Sequence, residues 1–197
     1  MNTYLTRAER EILEGAKIGI AGAGGLGSNC AMHLVRAGVR RLVIADFDVV
    51  NESNLNRQFF FRDQLGMKKV EALKANLLRI NPAAEIEIAD VRLDTASSRA
   101  RFADCSIVVE AFDAVAAKTM LLGAFVGSGK KIVTASGLAG WGRTNAMRLQ
   151  TMGRDVIAVG DGETEVAADE SPQSPRVGIA AAMEANAVMA LLLGKEL

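Results

Sequence analysis

Short apolar runs alternate along this chain with segments whose apolar residues recur at helical spacing. Residues 17–21 (KIGIA) read as a buried strand, and residues 29–37 as a helix ended by Gly38. Residues 41–45 (RLVIA) form the next strand. Residues 67–80 set Val70, Leu73, Leu77 and Leu78 at helical spacing and stop at Asn81-Pro82. Residues 85–89 alternate, as a half-exposed strand does, and residues 105–111 (CSIVVEA) are strongly β-branched. A helical stretch over 114–126 and a strand over 131–135 (KIVTA) follow. This rhythm predicts an α/β, Rossmann-like fold, a mainly parallel sheet with helices on both faces.

The last third breaks the rhythm. The apolar runs 146–149 and 156–159 lie too close for a crossover helix and predict a hairpin, an antiparallel C-terminal extension of the sheet. A polar stretch, 161–175, carries five carboxylates in its first ten residues and reads as a mobile surface loop. Residues 178–193 are an apolar, alanine-rich helix expected to pack in the core.

Composition narrows the class. A chain of 197 residues, half of them hydrophobic, suits one domain spanning 1–197. Its 23 basic and 23 acidic residues balance, which argues against a nucleic-acid partner held by bulk charge. The charged N-terminus does not resemble a signal peptide, and the apolar runs read as shorter than the ~20 residues that span a bilayer, so a cytoplasmic protein without a membrane partner is expected. Cys30 and Cys105 are too few and too far apart in sequence for a disulfide framework or a zinc site.

The chemistry begins at Gly22-Ala-Gly24-Gly25-Leu-Gly27, which matches Gly-x-Gly-x-x-Gly between a strand and a helix. Glycines there let backbone N–H groups approach an anion, and the helix N-terminus adds partial positive charge. Asp46 ends the second strand, about 20 residues on, where a carboxylate accepts hydrogen bonds from ribose hydroxyls. These features predict a nucleotide, and alone they fit a nicotinamide dehydrogenase equally well.

The next segment departs from the dehydrogenase pattern. Residues 51–58 (NESNLNRQ) are polar with a single arginine, and Lys68 and Lys69 stand at a helix start, against the helix dipole. Such lysines need an anion or open solvent. Asp113 follows a strand at the carboxyl edge of the sheet, where ligands of open α/β folds bind. An arginine and a lysine for phosphates, with a carboxylate for magnesium, suit a nucleoside triphosphate better than hydride transfer.

GAGGLGSN, DFDVVNESNLNRQ, GMKKVEAL and EAFD, in this order and spacing, resemble the ThiF/MoeB/HesA family, relatives of the catalytic half of ubiquitin-activating enzymes. SGLAGWGRTN, VGDG and PRVGIAAAMEAN resemble the short, cysteine-poor ThiF branch. The resemblance implies an adenylyltransferase that uses ATP and Mg2+, without zinc, to activate the C-terminal Gly-Gly carboxylate of a ubiquitin-like sulfur carrier, most directly for thiazole synthesis in thiamine formation. It implies that Gly22, Gly24, Gly25 and Gly27 receive the triphosphate, with Gly25 directly against it, and that Asp46 holds the ribose. It places Asn54 and Arg57 on the β- and γ-phosphates, supported by Gln58, puts Lys69 at the α-phosphate, and makes Asp113 the magnesium ligand. It also implies a homodimer.

Departures from the family pattern carry expectations of their own. Without a loop cysteine, Cys30 and Cys105 read as small buried side chains, so the enzyme is expected to stop at the acyl-adenylate. Only Arg7 and Arg10 are available to reach a partner's ATP, and Ala114 stands where many relatives have asparagine. His33 reads as packing or surface, Trp141 as packing or covering a channel along 136–142, and the 161–175 loop as ordering over a carrier tail. Another carrier, a modified tRNA base, and a non-catalytic carrier-binding module stand as alternatives.

Overall fold

The described residues build seven strands and six α-helices. The strands are β1 (Lys17–Ala21), β2 (Arg41–Asp46), β3 (Glu85–Asp90), β4 (Ile107–Glu110), β5 (Lys131–Ala135), β6 (Arg148–Met152) and β7 (Val156–Gly160). The helices are α1 (Arg7–Gly15), α2 (Gly25–Ala37), α3 (Lys69–Ile80), α4 (Thr95–Arg101), α5 (Val115–Phe125) and α6 (Ser174–Leu193). This computed structural model describes residues 4–164 and 171–197.

One sheet holds all seven strands in the order β3-β2-β1-β4-β5-β7-β6, parallel except for the β6–β7 hairpin. The order reverses between β1 and β4. Crossovers from these two neighbours leave in opposite directions, and the crevice at their carboxyl ends is where open α/β sheets bind ligands. The expected fold, with its antiparallel extension, is the one observed.

Alternation along the strands feeds two cores. Ile18, Ile20, Leu42, Ile44, Ile107 and Val109 face α1, α2, α3 and α6. Val43, Val108 and Ile132 face α4 and α5, where Phe102 and Phe125 fill the interior. Gly19 lets Phe102 close on β1, since a Cβ there would stand 2.6 Å from the ring.

Several boundaries differ from the sequence reading for physical reasons. α2 begins at Gly25 with Gly24 as its N-cap, so the second half of the glycine motif is its first turn, and the helix starts four residues before the sequence reading put it. α6 begins at Ser174 with a proline in its first turn, where the missing N–H costs nothing. At 20 residues and mean hydropathy 1.5, α6 is long and apolar enough to cross a membrane, which corrects the reading that no run reaches that length. In this fold half of its most apolar stretch is buried, it packs against α2, and it buries Arg176 and Glu184. α4 escaped sequence reading because TASSRAR has no apolar periodicity; Asp94 caps it through the Ser97 N–H.

Candidate functional site

Two of the glycines are required by space alone. A Cβ on Gly27 would lie 1.9 Å from the Gly22 carbonyl oxygen, and Gly22 has φ +101° with Ala111 O 2.8 Å from its Cβ position. The chain therefore turns tightly from β1 into α2, beside the end of β4. No side chain caps α2, whose first backbone bond is from Ser28 N to Gly24 O. The N–H groups of its first turn are left for a ligand. Above Gly24 the nearest atom is Gln58 Nε2, 3.9 Å from a Cβ position, so the space there is open.

Asp46 sits where the nucleotide reading puts it, at the carboxyl end of β2. Its Oδ2 accepts the Ala23 N–H at 2.6 Å and its Oδ1 the Asp48 N–H at 2.8 Å. Each oxygen keeps a second lone pair for a hydroxyl donor. Asp46 thus fixes the glycine turn as well as offering an acceptor to a ribose.

The two lysines at the start of α3 have their anions within the chain. Lys69 is buried and donates to Asp48 at 2.8 Å, and Lys68 pairs with Asp90 at 3.1 Å. The anion that such lysines need is thus supplied from within the chain for both. Backbone bonds between residues 48–50 and 66–69, including Lys69 N to Asp48 O at 2.9 Å, join the two segments.

The 51–60 segment is sewn onto the glycine turn by residues that sequence reasoning did not single out. Asn29 Nδ2 donates to Gly25 O at 2.7 Å and to Arg57 O at 2.9 Å. Ser28 Oγ accepts the Phe59 N–H and donates to Gly24 O. Arg57 lies with its Cγ 3.5 Å from the Cβ position of Gly25, and its guanidinium donates to Asn56 Oδ1 at 2.8 Å and to Ser53 O at 3.3 Å. Asn54 accepts the Asn51 N–H and closes its own turn. Gln58 is buried beside Gly24 with its Oε1 unpartnered, an orphaned polar atom at the mouth of the cradle.

Asp113 lies across the switch point, in the turn that follows β4. It is exposed and makes no hydrogen bond or ion pair among the described residues. A single free carboxylate beside bound phosphates is what magnesium takes, so Asp113 fits the ion. Ala114 stands at the N-cap of α5 and supplies no side-chain cap. Just before the turn, Glu110 is fully buried and bonded to Phe112 N, Lys118 Nζ and Thr134 Oγ1.

Cys30 and Cys105 are buried free thiols. Burial pushes Cys105 up to about 11 and Cys30 well above the ordinary thiol value, the latter with a smaller contribution from the neighbouring Glu184 carboxyl. Neither is poised as a thiolate. His33 is half-buried in α2, its pKa lowered by burial and by Arg36. Arg7 pairs with Glu11, and Arg10 donates to Leu5 O; Arg10 lies near Gly38 and Asn81, at the edge of the sheet opposite the glycine turn.

Arg176, at the start of α6, is 2% exposed. It pairs with Asp161 and donates to Gly142 O at 2.7 Å and Gly137 O at 3.5 Å, fastening both ends of the glycine-rich 136–142 segment. Burial alone would raise the Asp161 carboxyl, yet the N–H groups of Thr164 and Glu163, the Thr164 hydroxyl and Arg176 hold it below its ordinary value. Its neighbour Val177 lies 3.0 Å from the Cβ position of Gly25, so α6 closes one side of the cradle. Trp141 is 69% exposed. Residues 165–170, the centre of the acidic stretch, lie outside the described residues.

The model of the ThiF family matches residues 3–197. The chain belongs to the ThiF family. This ThiF-family chain is 37% identical over 142 residues to the adenylyltransferase and sulfurtransferase UBA4 of Candida glabrata, covering 72% of this chain and 33% of that protein. It is 38% identical over 113 residues to the molybdopterin-synthase adenylyltransferase of Escherichia coli, covering 57% of this chain and 45% of the other. It therefore spans less than half the length of either relative. Among solved structures, the E. coli tRNA N6-threonylcarbamoyladenosine dehydratase in complex with ATP superposes with a TM-score of 0.88 at 19% identity, covering 95% of this chain and 90% of that one. That likeness is one of fold.

Proposed function

We propose that this ThiF-family chain is an ATP-dependent adenylyltransferase acting on the C-terminal Gly-Gly carboxylate of a ubiquitin-like sulfur carrier, within the thiazole branch of thiamine formation. The observation that carries the reading is the seating of Arg57 against Gly25, whose side-chain stem lies beside an uncapped helix N-terminus and an open glycine turn. Asp46 accepts the ribose hydroxyls, Asn54 and Gln58 shape and line the segment under the β- and γ-phosphates, and Arg57 meets those phosphates. Lys69, positioned by Asp48, meets the α-phosphate. Asp113 would hold Mg2+, which supplies charge neutralisation between the phosphates.

The reaction needs little acid–base chemistry. A carboxylate oxygen of the carrier attacks the α-phosphorus in line, the bond from that phosphorus to the bridging oxygen breaks, and pyrophosphate leaves. The product is an acyl-adenylate. The chain's part is to hold the reactants in line, with Arg57 on the departing β- and γ-phosphates and Lys69 stabilising charge growing on the α-phosphoryl oxygens. Because both cysteines are buried and held as thiols, the chain is taken to stop at the adenylate and leave sulfur delivery to another protein. The thiamine assignment is supported by SGLAGWGRTN and PRVGIAAAMEAN, and the balanced net charge favours a protein carrier over tRNA. A homodimer in cytoplasm is the setting proposed.

Carrier-dependent ATP–pyrophosphate exchange tests the reading. Arg57→Ala and Lys69→Ala are each expected to lower exchange at least a hundredfold, the scale on which one transition-state charge contact acts. Full exchange in both variants overturns the site. Exchange driven by a modified tRNA and not by any Gly-Gly carrier overturns the substrate.

A further inference from the structure

Among the described residues Asp113 makes no hydrogen bond or ion pair, so its place depends on how the backbone on either side of it is held. On the strand side stands Glu110, the last residue of β4, with no exposed surface. Its Oε1 accepts the Phe112 N–H at 2.8 Å, which bends the chain immediately before Asp113. On the helix side, Lys118 reaches back from the first turns of α5. Its Nζ donates to Glu110 Oε2 at 2.9 Å and Oε1 at 3.2 Å, and to Ala135 O at 3.1 Å. Thr134 Oγ1 donates to the same carboxylate from β5.

The ammonium thus has all three protons placed, and the carboxylate accepts four hydrogen bonds from three donor groups. Together they brace three elements: the end of β4, the start of α5 and the end of β5. The turn that carries Asp113 is closed between two of them. Ala135, the third contact, leads directly into the glycine-rich 136–142 segment. A charged pair fully furnished with hydrogen bonds is rigid, and rigid support is what a lone exposed carboxylate lacks.

We propose that Lys118 and Glu110 form a strut of positioning residues that holds Asp113 in place to receive a divalent metal bound with ATP. This deepens the proposed function and rests on its assignment of Asp113 as the metal-holding carboxylate. Neither strut residue touches the metal or the nucleotide; both act through the backbone of residues 111–115. The prediction is that removing the strut weakens the metal without weakening the nucleotide's other contacts.

The test is equilibrium titration of the whole protein with Mn2+, read by electron paramagnetic resonance in the presence of ATP, alongside ATP binding without divalent metal. The double variant Glu110→Gln/Lys118→Met keeps an acceptor for Phe112 N–H and leaves no unpaired buried charge. It is expected to bind Mn2+ about tenfold more weakly than the parent, with metal-free ATP affinity within twofold. Parent-like Mn2+ affinity in the folded double variant overturns the strut. If the double variant does not fold, hydrogen exchange of the parent protein decides: strong protection of the Phe112 amide supports the strut, and exchange at the rate of an open loop overturns it. Asp113→Ala separates the two levels. Unchanged Mn2+ affinity there sinks the metal assignment itself, whereas a loss there with none in the double variant sinks the strut alone.

Discussion

The ammonium of Lys69 lies 2.8 Å from the carboxylate of Asp48, so the lysine that begins α3 is held by its own chain before any phosphate arrives. Asp48 is half-exposed and Lys69 is buried, which makes the carboxylate the side of the pair that solvent and ligand reach. A phosphate entering the cradle shares Lys69 with Asp48 or displaces it.

Removing the Asp48 charge tests this directly. Asp48→Asn leaves a buried ammonium without its counter-charge, discounted for the exposure of Asp48 to about 1 kcal/mol, or roughly 2–4 °C in melting temperature. ATP supplies the missing anion in the variant, so the ATP-induced rise in melting temperature is expected to exceed that of the parent. Equal rises would place the phosphates away from Lys69.

The glycines of the turn divide into those the fold needs and one left for the ligand. Gly27→Ala drives a Cβ into the Gly22 carbonyl and is expected to destabilise by several kcal/mol, about 3 or more, visible as loss of cooperative unfolding. Gly24→Ala meets nothing nearer than 3.9 Å and is expected to fold with near-parent stability. Its added methyl occupies the approach to α2, so ATP affinity is expected to drop at least tenfold by calorimetry. A Gly24→Ala protein that binds ATP normally would move the nucleotide elsewhere.

Much of this was legible in the sequence because period and punctuation agree. KIGIA and KIVTA became β1 and β5 residue for residue, each a short apolar run with charged or glycine neighbours. The glycine motif, Asp46 and Asp113 lie at the carboxyl ends of β1, β2 and β4, where the alternation of strands and helices had put them, and Arg57 packs on Gly25 from the segment after β2. What could not be read were pairings between distant residues. Nothing near Lys69 in sequence announces Asp48, and Arg176 inside an apolar helix gives no sign of meeting Asp161, Gly137 and Gly142. Residue 25 escaped as a helix start because glycine disfavours helices, while the open space over the turn is a tertiary demand.

Glu184 is a second buried carboxyl, and unlike Glu110 neither of its oxygens has a hydrogen-bond partner among the described residues. Burial, helped by the negative charge of Glu110, pushes its pKa well above the ordinary value of 4.5. The folded protein therefore keeps a proton that the unfolded chain releases. Its contribution is full below pH 4.5 and is lost as pH rises from there through the folded value. Glu184→Met removes the polar atoms at similar length and is expected to gain on the order of 1 kcal/mol at pH 8, and less at pH 5. Urea unfolding at both pH values measures the difference; a gain that is the same at both would mean Glu184 titrates normally.

The Arg176–Asp161 pair sets the last prediction, because both side chains are only 2% exposed. Breaking one member leaves a buried charge behind. Arg176→Met strands the Asp161 carboxylate and frees the Gly137 and Gly142 carbonyls, a loss expected at about 3–5 kcal/mol. Asp161→Asn added to it removes the stranded charge yet keeps an oxygen for the N–H groups of Glu163 and Thr164. The double variant is therefore expected to be more stable than Arg176→Met alone. The pair also has an acid limit: with its folded pKa lowered below 3.8, Asp161 stabilises fully above that pH and progressively less as pH falls through the folded value. Urea midpoints for the parent, the single and the double variants at pH 7 decide the matter, and a double variant weaker than Arg176→Met would show that Asp161 is not held there as a charge.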